Sequence, residues 1–411
     1  MDDMAQTSLS IVIVGLNYAP ELVGVGRYTG EIGQYLEAKG HNVRVVTAPP
    51  HYPAWAVGAP YSPWRYVSER SGDIRLMRCP IVLRRNMRGI WRLIAPLSFA
   101  ISSAPVVLWT VLRYRPDVVL CVEPTLFAAP MALLAARLIS ARTVLHVQDL
   151  EVDAAFAVGH LRGNFVQKFA TWIERVILQK FDQVVSISNK MRKRLISKGV
   201  RLERVSLIRN WVDLDRIYPL SGPNGFRTEL ALADDIFVVL YSGTMGVKQA
   251  LHLVLDVAER FVKEQRPIVF VIAGDGPEKQ RLLARYGGLP NVRFLALQPE
   301  SRLCELLNLA DLHVLPQSEG IADLVLPSKL GGMLASGKPI LVTADAGTEL
   351  FDVLQGAALI VPVGDKDAVA RAIIALAEGR SPPLLRNDAK LVGQFSRANC
   401  LRQMHSLLAG Q

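Results

Sequence analysis

The sequence predicts an α/β protein built on two doubly wound parallel sheets in tandem. Two observations predict it. Short apolar runs alternate with stretches of helical spacing, and the plan of the first half is repeated in the second. A chain of 411 residues has room for two or three domains, and its 50% hydrophobic content is ample for sizeable cores.

In the first half, Leu9-Val14 is an apolar run ended by Gly15, and Thr29-Lys39 has helical spacing closed by Gly40. Val43-Thr47 and Asp117-Val122 read as strands, the helix Ala128-Ile139 follows, and Thr143-Val147 and Gln183-Ile187 read as later strands. In the second half the strands read as Val205-Ile208, Phe237-Tyr241, Ile268-Ala273, Val292-Phe294, Leu312-Leu315 and Pro339-Val342. Helices read near Leu251-Glu264, Glu278-Arg285, Arg302-Leu309, Lys329-Ser336 and Ala368-Ala377. Pro219, Gly222 and Pro223 mark a junction. The expected division is a Rossmann-like domain over 1–210, a linker over 211–223, a second such domain over 224–385, and a helical segment over 386–411 that packs back on the first domain. Ligands of such sheets bind beyond the carboxyl ends of the strands, so a cleft between the domains is the expected site.

Several turns carry candidate chemistry. Leu326-Pro327-Ser328-Lys329-Leu330 reads as a turn opening a helix, with Ser328 as N-cap and Lys329 in the first turn, a setting that favours an anion. Ser242-Gly243-Thr244-Met245-Gly246-Val247-Lys248 follows a strand; its glycines are expected to free backbone amides and Lys248 to reach a phosphate. Ala273-Gly274-Asp275-Gly276-Pro277 makes a third tight turn. Each alone is an ordinary turn as readily as a site; three in one half of the chain suggest a nucleotide diphosphate. Gly332 to Lys338 mimics a phosphate-binding P-loop, but Pro339 stands where a magnesium-binding Ser or Thr belongs, and the stretch reads as helix; an ATPase is rejected.

In the first half, Gly24, Gly26 and Arg27 follow the first strand and permit close approach of a ligand, though an ordinary βα loop would look alike. His146 to Asp153 ends a strand with Asp149, Glu151 and Asp153, which can position a hydroxyl or accept a proton; a solvated acidic loop is the plain alternative. His146 itself reads equally as a packed strand residue.

The net charge of +10 favours acidic partners. Lys190, Arg192, Lys193, Arg194, Lys198, Arg201 and Arg204 read as a solvated helix face; no aromatic interleaving supports nucleic acid there. Cys79, Cys121, Cys304 and Cys400 lack metal-ligand spacing and suit a reducing compartment. The start lacks the basic region of a signal peptide. Ile94-Leu112 is long and apolar, but Pro96, Pro105 and three serines make it a buried or surface-docking helix rather than a membrane span. With Arg84, Arg85, Arg88 and Arg92 before it, an anionic membrane surface is an expected partner.

Together these residues resemble the retaining glycosyltransferases of family 4, nearest the colanic-acid and O-antigen type. Gly15-Leu16-Asn17-Tyr18-Ala19-Pro20-Glu21, Thr47-Ala48-Pro49-Pro50-His51-Tyr52-Pro53 and His146 to Phe156 carry the likeness. Ser186-Ile187-Ser188, Arg209-Asn210-Trp211-Val212-Asp213 and Ala310 to Pro316 match more general family motifs. The resemblance implies the two-domain GT-B fold and transfer of a sugar, fucose-like in this subgroup, from a nucleotide diphosphate sugar to a lipid-linked saccharide. It implies a donor site at Gly243, Gly246, Lys248, Gly274, Asp275, Gly276, Ser328, Lys329 and Leu330. The reaction centre would lie by Gly24, Gly26 and Arg27, with Asp149, Glu151 and Gln148 as catalytic candidates. No metal or other cofactor is implied, and the setting is cytoplasmic, at the inner face of the membrane.

Two departures stand out. Gln148-Asp149 replaces the family's His-Asp, and the pair of glutamates seven residues apart is broken, with Leu324 and Gly332 at those positions and Glu319 and Asp323 nearby. These gaps keep two other readings open: a non-catalytic scaffold of a polysaccharide assembly complex, or a Rossmann epimerase or oxidoreductase. The latter lacks its Gly-x-Gly-x-x-Gly after the first strand.

Overall fold

The computed structural model describes residues 8–21, 24–84, 91–124, 126–150, 152–153, 164–318, 326–380 and 389–411. The chain forms two units: Met1–Arg209 with Leu401–Gln411, and Asn210–Cys400.

The first unit holds an eight-stranded sheet. Its strands are β1 Ser10–Gly15, β2 Asn42–Thr47, β3 Val67–Ser71, β4 Ile74–Arg78, β5 Val118–Glu123, β6 Arg142–Val147, β7 Gln183–Ser186 and β8 Val205–Leu207. The order is β3-β4-β2-β1-β5-β6-β7-β8, parallel throughout except for the β3–β4 hairpin at one edge. Ile11 of β1 lies opposite Val43 of β2 and Val118 of β5, so β1 is central and its side chains from Ile11 on are buried on both faces. Because β1, β5 and β6 are parallel neighbours, the loops after Gly15 and Val147 leave the same edge of the sheet.

The second unit holds a six-stranded parallel sheet: β9 Phe237–Ser242, β10 Ile268–Ala273, β11 Val292–Leu295, β12 Leu312–Leu315, β13 Ile340–Thr343 and β14 Leu359–Val361. Its order is β11-β10-β9-β12-β13-β14. The chain winds outward one way from β9 and the other way from β12, which makes the β9/β12 boundary a topological switch point. The helix Leu251–Lys263 buries Leu251, Val254, Leu255, Ala258 and Phe261 against this sheet, and the Phe261 and Phe270 rings lie 6.0 Å apart.

Some sequence expectations need correction. Val205–Leu207 closes the first sheet instead of opening the second half's plan. The β3–β4 hairpin escapes a search for apolar runs because it is polar and only Ile74, Leu76 and Arg78 in it are buried. Buried Arg78 instead donates to the carbonyls of Ala48 at 3.0 Å and Ala19 at 2.7 Å and pairs with Glu69. The segment 211–223 is not a free linker: Trp211, Val212 and Ile217 are buried, and Val212 bonds to Phe395 within the second unit. The final helix, Arg397–Ala409, passes from the second unit into the first, where Arg142 donates to the Leu407 carbonyl at 2.7 Å.

The long apolar segment is the helix Trp91–Tyr114. Its stretch Leu93–Tyr114 is long and apolar enough to cross a membrane by length and composition. It nevertheless packs as part of the first unit. Ala95, Phe99, Val107 and Val111 are buried, and the Ser98 and Ser102 hydroxyls tie it to the Val82 amide and Pro80 carbonyl at 2.9 and 2.6 Å. Leu97, Ile101, Trp109 and Leu112 are exposed. Arg84 lies over the Trp91 ring at 4.9 Å; Arg85 and Arg88 lie outside the described residues, as does the Arg92 side chain.

Candidate functional site

In the second unit the turns singled out from sequence converge at the carboxyl edge of the sheet. The loop after β9 and the loop after β10 lie directly on one another. Gly243 N–H donates to the Ala273 carbonyl at 2.9 Å, and Met245 N–H to the Asp275 carbonyl at 2.8 Å. A Cβ on Gly274 would overlap the Gly243 carbonyl, and one on Gly276 would overlap the Met245 backbone. Both glycines also hold positive φ, 140° and 153°, so no other residue fits this contact without moving a loop.

This nesting revises the expected role of the amides. Gly246 N–H is taken by the Gln249 side chain at 3.1 Å, Gly274 N–H by the Leu295 carbonyl at 3.1 Å, and Gly276 N–H by the Asp275 carboxylate at 2.9 Å. With those of Gly243 and Met245, five N–H groups are thus spent on holding the loops together. The glycines build the floor of the site rather than supply its donors.

The cation of the site is Lys329, at the start of the helix Lys329–Ala335. Its Nζ donates to the Tyr241 hydroxyl at 2.6 Å, sits 3.9 Å from the centre of that ring, and would stand 3.1 Å from a Cβ on Gly243. Among the described residues no carboxylate pairs with it. Burial alone lowers its pKa to about 7, and an anion placed beside it would raise that value again. Ser328 precedes the helix with helical φ of −58° and makes no side-chain cap, against expectation. Leu330 is buried in the core with Met333 and Leu334. Lys248 lies exposed in the short turn Val247–Gln249, whose backbone is tied to Ser318 by a 3.0 Å bond from Ser318 N–H to the Lys248 carbonyl. Asp275 points outward, 3.6 Å from Lys279. Glu319, Asp323 and Leu324 lie outside the described residues.

In the first unit, Gly24, Gly26 and Arg27 are not in a loop but in the first turns of the helix Gly24–Ala38. Glu21 explains Gly26: a Cβ there would overlap the Glu21 carboxylate. That buried carboxylate accepts from Asn17 Nδ2 at 2.9 Å and from the His51 and Tyr52 amides at 2.9 and 3.0 Å. It therefore ties the loop after β1 to the loop after β2, a role the sequence reading missed although Glu21 and His51 stand in two of the quoted motifs. Gly24, at φ 65°, faces the Tyr52 ring, and Arg27 pairs with Glu31 at 2.8 Å.

At the end of β6, His146 is buried and receives the Gln148 side-chain amide at 3.0 Å on Nε2. Accepting there leaves its proton on Nδ1, and burial pushes its pKa down to about 4, so it is a neutral imidazole that orients Gln148. Asp149 is exposed beyond it, and Glu151 lies outside the described residues. Asp153 is engaged within the protein. It binds Arg194 at 2.8 Å and Lys198 at 3.0 Å, and buried Lys198 also pairs with buried Glu174. Part of the basic cluster around Arg194 is thus internal scaffolding. The four cysteines are free, and burial holds the Cys79 and Cys121 thiols up at about 12.

Residues 23–211 match the family described as glycosyl transferase 4-like domain, and residues 236–379 match glycosyl transferases group 1. The chain is 43% identical over 349 residues to the putative colanic acid biosynthesis glycosyl transferase WcaI of Escherichia coli, covering 83% of this chain and 85% of that one. It is 26% identical over 238 residues to the lipopolysaccharide core biosynthesis glycosyltransferase LpsE of Rhizobium meliloti, covering 56% and 65% of the two chains. Its fold is shared with sucrose-phosphate synthase of Thermosynechococcus elongatus, at TM-score 0.69 and 17% identity over 97% and 98% of the chains. It is shared also with Anabaena HepE, solved with UDP-glucose, at TM-score 0.67 and 14% identity over 98% and 100%. The chain therefore belongs to the family 4 glycosyltransferases of GT-B fold and is a glycosyltransferase.

Proposed function

We propose that this enzyme moves a hexose-type sugar, fucose-like by its subgroup, from a nucleotide diphosphate sugar to a lipid-linked saccharide in exopolysaccharide or O-antigen assembly. One observation carries the donor half of the reading. Lys329 has no carboxylate partner among the described residues and is set against two nested glycine turns at the sheet's carboxyl edge. A diphosphate is the group that such a cation lacks. HepE binds UDP-glucose on the same fold, which makes a uracil nucleotide one candidate donor. WcaI and LpsE are named for polysaccharide assembly, which supports the acceptor class.

In the proposed reaction the bond from the anomeric carbon to the diphosphate breaks, and a bond to the acceptor oxygen forms. The acceptor's proton leaves to a base. Lys329, with Lys248 on the loop after β9, balances the charge gathering on the departing diphosphate, and that electrostatic term is the largest. Ser328 and Leu330 flank Lys329, and Gly243, Gly246, Gly274, Asp275 and Gly276 shape the floor. Gln148, oriented by His146, and Asp149 meet the sugar or acceptor hydroxyl; Glu151 is the third candidate. Retention of configuration belongs to the proposal through the family likeness. No metal or cofactor is part of it.

The acceptor being lipid-linked, we place the enzyme in the cytoplasm, docked on the inner membrane face through the exposed stripe Leu97, Ile101, Trp109 and Leu112 with Arg84 beside it. The test is a transfer assay with radiolabelled UDP-, GDP- and dTDP-sugars and extracted membrane lipids. Label passing from one donor into the lipid fraction supports the reading. Label released only as free sugar, or no turnover with any donor, contradicts it.

A further inference from the structure

We infer that Tyr241 is a positioning residue of the donor site: its hydroxyl holds the Lys329 ammonium beside Gly243 and so sets how firmly the site grips a diphosphate. The inference rests on the reading of Lys329 as a diphosphate ligand. Tyr241 lies near the end of β9 with its ring buried. An ammonium can only donate, so the Tyr241 oxygen accepts from Lys329 at 2.6 Å. The hydroxyl proton is thereby directed to the Thr244 carbonyl at 2.5 Å. One side chain thus fixes both the cation and the loop that carries Gly243 and Gly246. Its ring face, 3.9 Å from Nζ, adds a second hold on the charge.

No other group among the described residues competes for this role. On the loop after β9, Lys248 is exposed; on the loop after β10, Asp275 is engaged with Lys279 at 3.6 Å. Burial raises the Tyr241 hydroxyl above its ordinary range, so it stays neutral and its lone pair stays on Lys329. An acceptor on an ammonium stabilises its charged form. Without that acceptor the Lys329 pKa, already about 7, falls further, and the site loses its cation at a lower pH. A purely structural hydroxyl would leave no such pH signature.

Tyr241→Phe keeps the ring and removes the oxygen. Wild type and variant are titrated calorimetrically with UDP-glucose, GDP-mannose, dTDP-glucose and ADP-glucose from about pH 5.5 to about pH 8.5, a range over which the diphosphate diester charge is fixed. We expect wild type to bind one of them, more weakly as pH rises past about 7. We expect Tyr241→Phe to match wild type within about twofold at about pH 5.5 and to bind about tenfold more weakly at about pH 8, as a one-unit fall in the lysine pKa requires. In Lys329→Arg, whose charge does not titrate, adding Tyr241→Phe should leave the pH profile flat. A loss in Tyr241→Phe that is equal at every pH, or no loss, overturns the inference while leaving the donor reading intact. Failure of wild type to bind any of the four at any pH overturns the donor reading and the inference with it.

Discussion

At the residue scale, Lys329 is the place where burial and charge are set most sharply against each other. Its folded pKa, about 7, lies below the ordinary 10.5. As pH falls through the ordinary lysine range, the unfolded chain takes up a proton that the folded chain refuses until about pH 7. Stability therefore declines with falling pH across that window and levels off below it. Lys329→Met should relieve this penalty, raising stability near neutral pH by about 1–2 kcal/mol. The same substitution should weaken sugar-nucleotide binding at least tenfold, the loss of about one charge-assisted hydrogen bond. Thermal denaturation with and without nucleotide checks both halves; a destabilised variant with unchanged affinity would contradict them. Lys329 stands out in the sequence because it opens a turn with Pro327 and Ser328. What was not legible was the fate of the amides. Glycine spacing announces a tight turn, but only the fold shows that Gly243, Gly274 and Gly276 turn their N–H groups onto neighbouring protein atoms.

At the scale of elements, the helix Trp91–Tyr114 serves two surfaces at once. Phe99 is fully buried, so Phe99→Ala should cost about 3–5 kcal/mol in chemical denaturation. Ile101 is 68% exposed, so Ile101→Asn should change stability by under about 0.5 kcal/mol. Flotation on anionic liposomes should respond the other way: Ile101→Asn weakens it, and added salt weakens it in both proteins. Equal flotation of Ile101→Asn and wild type would remove this face from the membrane account. The sequence identified the apolar stretch and its prolines, but the division into buried and exposed stripes depends on which side meets the sheet.

The final helix offers a separate prediction. His405 stacks on His41 with Nε2 atoms 2.7 Å apart, and His41 Nδ1 accepts from the Leu9 amide at 3.0 Å. The Leu9 bond fixes the His41 proton on Nε2, so His405 must accept it, and neither ring can gain a proton without breaking a bond. Burial lowers both pKa values, helped by His405 at His41 and by Lys39 at His405. The contribution of the pair is thus present above the ordinary histidine pKa and lost as pH falls below it. Protection from hydrogen exchange over Leu401–Gln411, taken relative to the intrinsic rate at each pH, should fall below about pH 6 in wild type and lose that dependence in His405→Phe. Protection that is insensitive to pH in wild type would contradict this.

For the whole molecule, the alternation of strands and helices was readable nearly throughout, because central strands such as β1 and β10 are continuous apolar runs. The edge hairpin β3–β4 was not, since it is mostly polar and one of its three buried side chains, Arg78, is held by hydrogen bonds instead of an apolar run. The proposed docking at a charged lipid surface rests on the net charge of +10 and the exposed apolar stripe, and the proposed sugar-nucleotide site rests on Lys329 and its glycine turns. The sugar-nucleotide site is the central claim. Its most direct test is calorimetric titration of wild type and Lys329→Met with UDP-, GDP- and dTDP-sugars near neutral pH. Saturable binding of one donor to wild type, reduced at least about tenfold in the variant, is the predicted result. Equal binding by the two proteins, or none by wild type, would contradict it.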